Sequence, residues 1–236
     1  MQIGFEKNLK FLNHDTYPPD FFESLWNGKF GTVSFTVGES DFPTGEIVLA
    51  DPLAYLGSKY QTALEEKIPS GSYPIEISVL RSPTVGIRIA AARLKIKETA
   101  SVRYQLAMPE GHTIEDLNAP GVFSFFGVDA GLGCFADKAL SKEFYGFKTK
   151  WYDSNKDKNI YDDYFMELFA ESHKNFPELQ TPCGDFILWK FPESGRRLIM
   201  FSSGLGDGIY SGYWGFDEKD EKTELVIPFM NPEFFN

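Results

Sequence analysis

The sequence predicts an α+β domain built mainly on antiparallel sheet, sandwich-like or curved, with two to four helices. Three observations carry that prediction. Aromatic residues make up 16% of the 236 residues, led by 23 Phe, and aromatic side chains favour pleated, half-buried surfaces. β-Branched runs of alternating polarity recur through the middle and the last third of the chain. The turns between them are short, which suits hairpins, because a parallel crossover takes about a dozen residues or more. At 42% hydrophobic and 24% charged residues the composition is that of an ordinary globular chain. No repeat, low-complexity tract or linker divides it, so one domain over residues 1–236 is expected.

The elements are justified in order. In YPPDFFESLWNGKFG (17–31) the prolines of the first turn, the early acids and the stop at Gly28 predict a short helix. TVSFTV (Thr32–Val37) alternates as a strand, and GEIVLADPLAYLG (45–57) reads as a strand broken at Asp51-Pro52. SKYQTALEEK (58–67) reads as one or two helical turns before the loop IPSGSYP. The strongest strand signals are Tyr73–Ser82, Thr84–Ile96 and Ser101–Met108, predicted as a meander with Arg88, Arg93 and Lys95 on its solvent face. GVFSFFGVDAG (121–131) reads as another strand and CFADKALSKEFYG (134–146) as a helix. In Asn159–Phe176 the residues Tyr161, Tyr164, Phe165, Leu168 and Phe169 recur at helical intervals. GDFILWKF, RRLIMFSS, IYSGYWGFD and TELVIPF return the chain to strands.

The formal net charge is −11. Such a surface repels phosphate backbones and anionic headgroups, so neither nucleic acid nor membrane is expected as a partner, and a basic protein is favoured. The N-terminus MQIGFEKNLKFLNHD lacks an apolar core of signal-peptide length, and no segment approaches ~18 uninterrupted apolar residues. Cys134 and Cys183 lie far apart, and His14, His112 and His173 have no metal-ligand spacing. Free thiols in a reducing cytoplasm are therefore expected, with no cofactor and no metal.

Three stretches are candidates for a site. DSNKDKNIYDDY (153–164) places Asp153, Asn155 and Asp157 at the first, third and fifth positions of a calcium loop. Lys158 stands where the loop needs glycine, and Tyr164 where it needs a bidentate Glu. An acidic loop capping the next helix is the stronger reading. GVDAGLGCFAD (127–137) sets Asp129 and Asp137 around glycines. It reads as a strand–turn–helix junction with Asp137 at the helix start, where Cys134 would feel the helix dipole. Asp129 is left over, since a buried carboxylate needs donors or a cation. SSGLGDGIYSGYWGFDEKDE (202–221) interleaves five glycines with Asp207, Tyr210, Tyr213, Trp214 and Asp217. That mixture suits either a binding surface or a hairpin with aromatics over glycine. No G-x-S-x-G elbow and no phosphate-binding glycine fingerprint occurs.

GEIVLADP, SGSYPIEIS, GVDAGLGCFAD and GDGIYSGYWGFD…ELVIPF, in that order, resemble the bacterial family catalogued as domain of unknown function 4241. The resemblance runs from about Gly45 to Phe229 and leaves residues 1–40 as an extension outside it. It transfers no catalytic residue. It implies a stand-alone cytoplasmic protein with an immunity or effector-binding role. The expected function is therefore a protein-binding module that neutralises a toxin or other basic partner, using Asp129, Asp137, Asp207, Tyr210, Tyr213, Trp214 and Asp217. Two alternatives stand beside it. One is a hydrolase in which Asp129, Asp137, Asp207 and Asp217 converge, with or without a metal. The other is a ligand sensor stacking on Tyr210, Tyr213 and Trp214.

Overall fold

A computed structural model describes residues 17–235. The leader reading of the first fifteen residues and His14 lie outside them. Helix α1 (Pro19–Trp26) precedes β1 (Thr32–Phe42), β2 (Glu46–Ala50), β3 (Thr62–Lys67), β4 (Gly71–Ser82), β5 (Gly86–Lys95) and β6 (Arg103–Leu106). The short β7 (Phe126–Val128) and β8 (Leu132–Asp137) lead into α2 (Lys138–Ser154). A π-helical turn (Tyr161–Phe165) then runs into α3 (Met166–Asn175). The chain closes with β9 (Phe186–Lys190), β10 (Arg197–Ser202), β11 (Gly208–Tyr210), β12 (Tyr213–Phe216) and β13 (Lys222–Pro228). A six-stranded sheet in the order β1-β4-β5-β13-β12-β6 and a five-stranded sheet in the order β3-β2-β8-β10-β9 are joined by the ribbon β11-β7. Every registered pair is antiparallel. The α+β, mainly antiparallel class read from the sequence is the class of the structure.

Side-chain alternation sorts the core into layers. Ile47, Leu49, Phe135, Ile199 and Phe201 of the five-stranded sheet meet Ile75, Ile77, Leu94, Trp214, Leu225 and Ile227 of the other sheet. Their immediate neighbours Val48, Ala50, Cys134, Ala136, Leu198 and Met200 point the other way, onto Leu140, Phe144, Phe165 and Phe169 of the helical layer. On the outer face of the six-stranded sheet, Ala91, Leu106, Tyr213 and Val226 are covered by Phe22 and Leu25 of α1. The five-stranded sheet is thus apolar on both faces, which explains why β8 is buried along its whole length.

Four sequence readings are corrected. Residues 62–67 form a strand, because β3 pairs with β2 and sends Leu64 and Ala63 into different cores. Pairing overrides the helical propensity of Ala, Leu and Glu there. The meander is broken: β6 is separated from β5 by the hairpin β12–β13. The segment 134–137 is the end of β8, and the helix starts only at Lys138. Arg93 lies beneath Trp26, its guanidinium 4.1 Å from the ring centroid, rather than on an open face.

The two sheets are also tied by polar contacts where β1 passes β10. Ser40 Oγ accepts the Ile199 amide at 3.0 Å. Asp41 accepts the Arg197 amide at 2.7 Å, Arg197 Nη2 at 2.6 Å and Ser72 Oγ at 2.7 Å. Burial pushes the Asp41 carboxyl up, but the bonds from Arg197 and Ser72 outweigh it and hold it below the ordinary carboxylate value. A carboxyl lowered on folding adds stability above its unfolded pKa, about 4, and loses it as pH falls through the folded value. Asp41→Asn is accordingly expected to cost about 2 kcal/mol at neutral pH. In paired urea melts the gap between variant and wild type should narrow as pH drops below about 4; a gap that stays constant with pH contradicts this role.

Candidate functional site

The two glycine-rich stretches meet. β7 pairs with β11, with Gly127 opposite Ile209. The Ser203 amide bonds to the Gly131 carbonyl at 3.0 Å, and the Gly131 amide bonds to Asp207 Oδ1 at 3.0 Å. Gly131 turns the chain at φ +65°, a conformation that costs glycine least. The organiser of this end is a residue the sequence reading treated only as a strand break. Asp51 is fully buried, and its Oδ1 accepts the amides of Leu53 and Ala54 at 2.9 and 3.1 Å. Its Oδ2 accepts those of Asp129 and Ala130 at 3.1 and 2.6 Å. Burial raises the Asp51 carboxyl above its ordinary value, and the four amides counter only part of that rise. The signal in the sequence is an Asp directly before Pro at a strand end, where Asx turns form.

Asp129 itself is exposed and accepts the Tyr55 hydroxyl. Its carboxylate raises the Tyr55 phenol above its ordinary value. The Tyr55 ring lies against Gly127, 3.3 Å from where a Cβ would stand, and meets Tyr60 with centroids 6.1 Å apart. Cross-strand partners face the same side of a ribbon, so Ile209 faces the side of the ribbon on which the Tyr55 ring covers Gly127. Leu205, at the tip of the 203–207 turn, is 61% exposed, Tyr60 64% and Ile209 38%. Exposed apolar side chains thus accompany Asp129 and Asp207 at this end of the fold.

The remaining candidates go elsewhere. Asp137 caps α2 through the Ala139 amide at 2.7 Å and accepts the amides of Thr44 and Gly45 at 2.8 and 3.0 Å, fully buried. The six residues of β8, at ~3.3 Å each, put it about 17 Å along the strand from the Asp129 end. Asp217 caps the exposed turn after β12 through the amides of Lys219 and Glu221, and these bonds hold its carboxyl below the usual value. The four aspartates therefore do not converge. Among the described residues no group of three or more His, Cys, Asp and Glu could hold a metal ion. Tyr213 and Trp214 alternate into different cores, Tyr213 under α1 and Trp214 between the sheets. Tyr210 points its hydroxyl at the carbonyls of Ser203 and Gly206, 3.0 and 2.7 Å away. The three aromatics do not form a shared stacking surface.

Cys134 is also corrected. Its side chain is wholly buried on β8, and burial first, then the nearby Asp51 carboxylate, pushes its thiol well above the ordinary value. Both cysteines are free, and Cys183 is exposed. In the calcium-like loop, Asn155 ends α2 by bonding to the Trp151 carbonyl, and Asn159 Oδ1 caps the amides of Tyr161 and Asp162. It works as a pair of helix ends.

A second polar cluster was missed by sequence reasoning. Beneath α1, Arg93 bridges Glu76 and Glu224 at 2.5 and 3.1 Å. Glu224 Oε1 in turn accepts Tyr104 and Ser101 hydroxyls at 2.6 and 2.8 Å. Burial, with help from Glu224, drives the Tyr104 phenol well above its ordinary value. Arg93, Glu224, Tyr104 and Ser101 line a cleft of about 540 Å³ with Trp26 and Lys95. Arg93 and Glu224 are cross-strand neighbours with β-period signals of their own, but pairing two strands 131 residues apart is not legible locally. Arg93 seats α1 through the Trp26 ring, whose Nε1 is buried without a hydrogen-bond partner.

Fold and site together define a doubly layered antiparallel domain with a rigidified, acidic and partly apolar loop end. The chain belongs to the family described as protein of unknown function, DUF4241, whose model matches residues 40–227. α1 and most of β1 precede that match, yet both pack on the six-stranded sheet. No curated protein and no solved structure matches the chain. Among the described residues, no helix is long and apolar enough to cross a membrane.

Since all four partners of Asp51 are donors, Asn cannot replace it: its amide nitrogen would face two N–H groups. Asp51→Asn is expected to cost about 2–3 kcal/mol, read as a lower urea midpoint, and a neutral result contradicts the clamp. In the native protein a thiol reagent should modify Cys183 and spare Cys134 until the chain unfolds; native labelling of Cys134 contradicts its placement.

Proposed function

We propose that the protein is a binding module that captures a basic protein partner on the loop end formed by the 127–131 and 203–209 segments. The observation that carries this reading is Leu205, standing 61% exposed at a turn tip whose neighbour Asp207 is fixed on the Gly131 amide. Tyr60 and Ile209 add exposed apolar surface, and Asp129 adds a second carboxylate. An apolar centre with a charged rim is the usual build of a protein interface. The net charge of −11 steers a cationic partner and speeds its arrival. Hydrogen bonding of the 129–130 turn through Asp51, and of the 203–207 turn through Gly131 and the Tyr210 hydroxyl, lowers the ordering cost of association. Two free thiols suit a reducing compartment, and neutralisation of a basic toxin in the cytoplasm is the role this reading favours.

The test is affinity capture from the native host at low salt, with wild type and the variant Leu205→Asp/Asp129→Lys/Asp207→Lys run side by side. A basic protein held by wild type, released at about 0.5 M salt and absent from the variant supports the reading. A partner retained equally by both, or an acidic partner insensitive to salt, contradicts it.

A further inference from the structure

The two edges of the five-stranded sheet are finished differently. At β3 the 108–110 segment continues the pairing: the Glu65 amide bonds to the Met108 carbonyl at 2.9 Å, and the Glu110 amide to the Ala63 carbonyl at 2.8 Å. At the other edge, β9 pairs with β10 in one unbroken register. In that register the Ser202 amide bonds to the Asp185 carbonyl and the Phe191 amide to the Arg196 carbonyl. Antiparallel pairing alternates bonded and unbonded residues, so Ile187 and Trp189 also bond to β10. The main-chain groups of Phe186, Leu188 and Lys190 then point away from the sheet. The Phe186 amide donates to Gln180 Oε1 at 3.0 Å. Among the described residues, the amides and carbonyls of Leu188 and Lys190 have no partner.

This edge is lightly guarded. Exposed edges are commonly blunted by proline, a bulge or several charges, whereas β9 carries one charge, Lys190, and Pro192 lies past its end. A groove of about 420 Å³ runs along it, lined by residues 187–190, by Leu168 and Ser172 of α3, and by Phe176. Leu168, Phe176 and Leu188 stand 38–40% exposed there. A bare edge beside a helix is met by another strand, whose main chain supplies the missing bonds. The β9 sequence FILWK is itself strand-forming. With Leu188 opposite Lys190 of a second copy, a two-fold axis through Trp189 pairs all four free groups of each chain. The contact is isologous, so one edge supplies both halves. Lys190 repels a basic strand, which separates this edge from the partner of the loop end. β9 is about 17 Å long and the layers on its two sides are together about 20 Å deep. Such a patch buries on the order of 500 Å² per copy, against ~800 Å² per partner in a standard interface.

We propose that the β9 edge is a self-association surface, on which a second copy of this chain adds its own β9 in antiparallel register and joins the two five-stranded sheets into one. The small area makes the pair weak, with a Kd on the order of 0.1 mM. Leu188 and Lys190 belong to neither loop-end segment, and the proposal does not rest on the reading given there.

The test is sedimentation velocity of the full chain between about 5 and about 500 µM, with hydrogen exchange of the β9 amides at both concentrations. At a Kd of ~0.1 mM the monomer fraction falls about threefold over that range. The Leu188 and Lys190 amides should therefore exchange about threefold more slowly at the higher concentration, while those of Ile187 and Trp189 stay unchanged. Leu188→Pro removes an outward N–H and no bond of the β9–β10 ladder. Leu188→Lys keeps that N–H and sets a second cation opposite Lys190 of the other copy. Both variants, with native circular dichroism, should stay monomeric at about 500 µM. Raising salt from about 0.05 to about 0.5 M should strengthen the wild-type pair, because two chains of net charge −11 repel. A wild type that stays monomeric at about 500 µM, or a pair that salt weakens, overturns the proposal. So does a pair that persists in a folded variant, or exchange at Leu188 and Lys190 that is independent of concentration.

Discussion

The Asp51 carboxylate, buried with its two oxygens shared among four amides, is the interaction on which the loop end depends. Two of those amides belong to its own turn and two to the turn after β7. Only an acceptor-only group can serve all four. These bonds offset part of the cost of holding an ionised carboxyl in the interior, and Lys148 stands near enough for the Asp51 charge to act on its ammonium. Burial lowers the Lys148 pKa, and Asp51 opposes that change.

The need for such a group follows from the layers. The five-stranded sheet is covered by the second sheet on one face and by α2 and α3 on the other. Loops leaving its strand ends pass over apolar ground where water cannot satisfy backbone donors. The solution is the same at both ends of β8. Asp51 gathers amides at the Leu132 end, and Asp137 gathers those of Thr44, Gly45 and Ala139 at the other. The outcome is that Asp129 is carried on a turn fixed from below by Asp51, while the turn of Leu205 and Asp207 is tied to it through Gly131 and braced by the Ser203 and Tyr210 hydroxyls.

Much of this was legible locally. The antiparallel class, the hairpin β4–β5 and the break at Asp51-Pro52 follow from alternation and turn residues, which act over a few positions. The insertion of β12–β13 between β5 and β6 was not, because strand order depends on contacts across more than 100 residues. The pairing of 62–67 overrode its own propensity for the same reason. At the site, GVDAGLGCFAD was read as a strand–turn–helix junction, but its second half is the strand β8, and Asp137 at its end caps the helix and also serves Thr44 and Gly45. Tyr213 and Trp214 looked like a surface in sequence because composition marks aromatics without saying which face they take. Their adjacency on one strand was the available signal, since neighbours on a strand point to opposite sides.

The central claim is that the acidic loop end is built rigid by buried carboxylates rather than ordered by what it meets. Native-state hydrogen exchange of the Asp129 and Ala130 amides tests it most directly, because both donate to the buried Asp51 carboxylate from a segment with exposed side chains. The account predicts protection close to that of the β8 amides. Exchange at the rate of an open turn, such as 193–195, would contradict it.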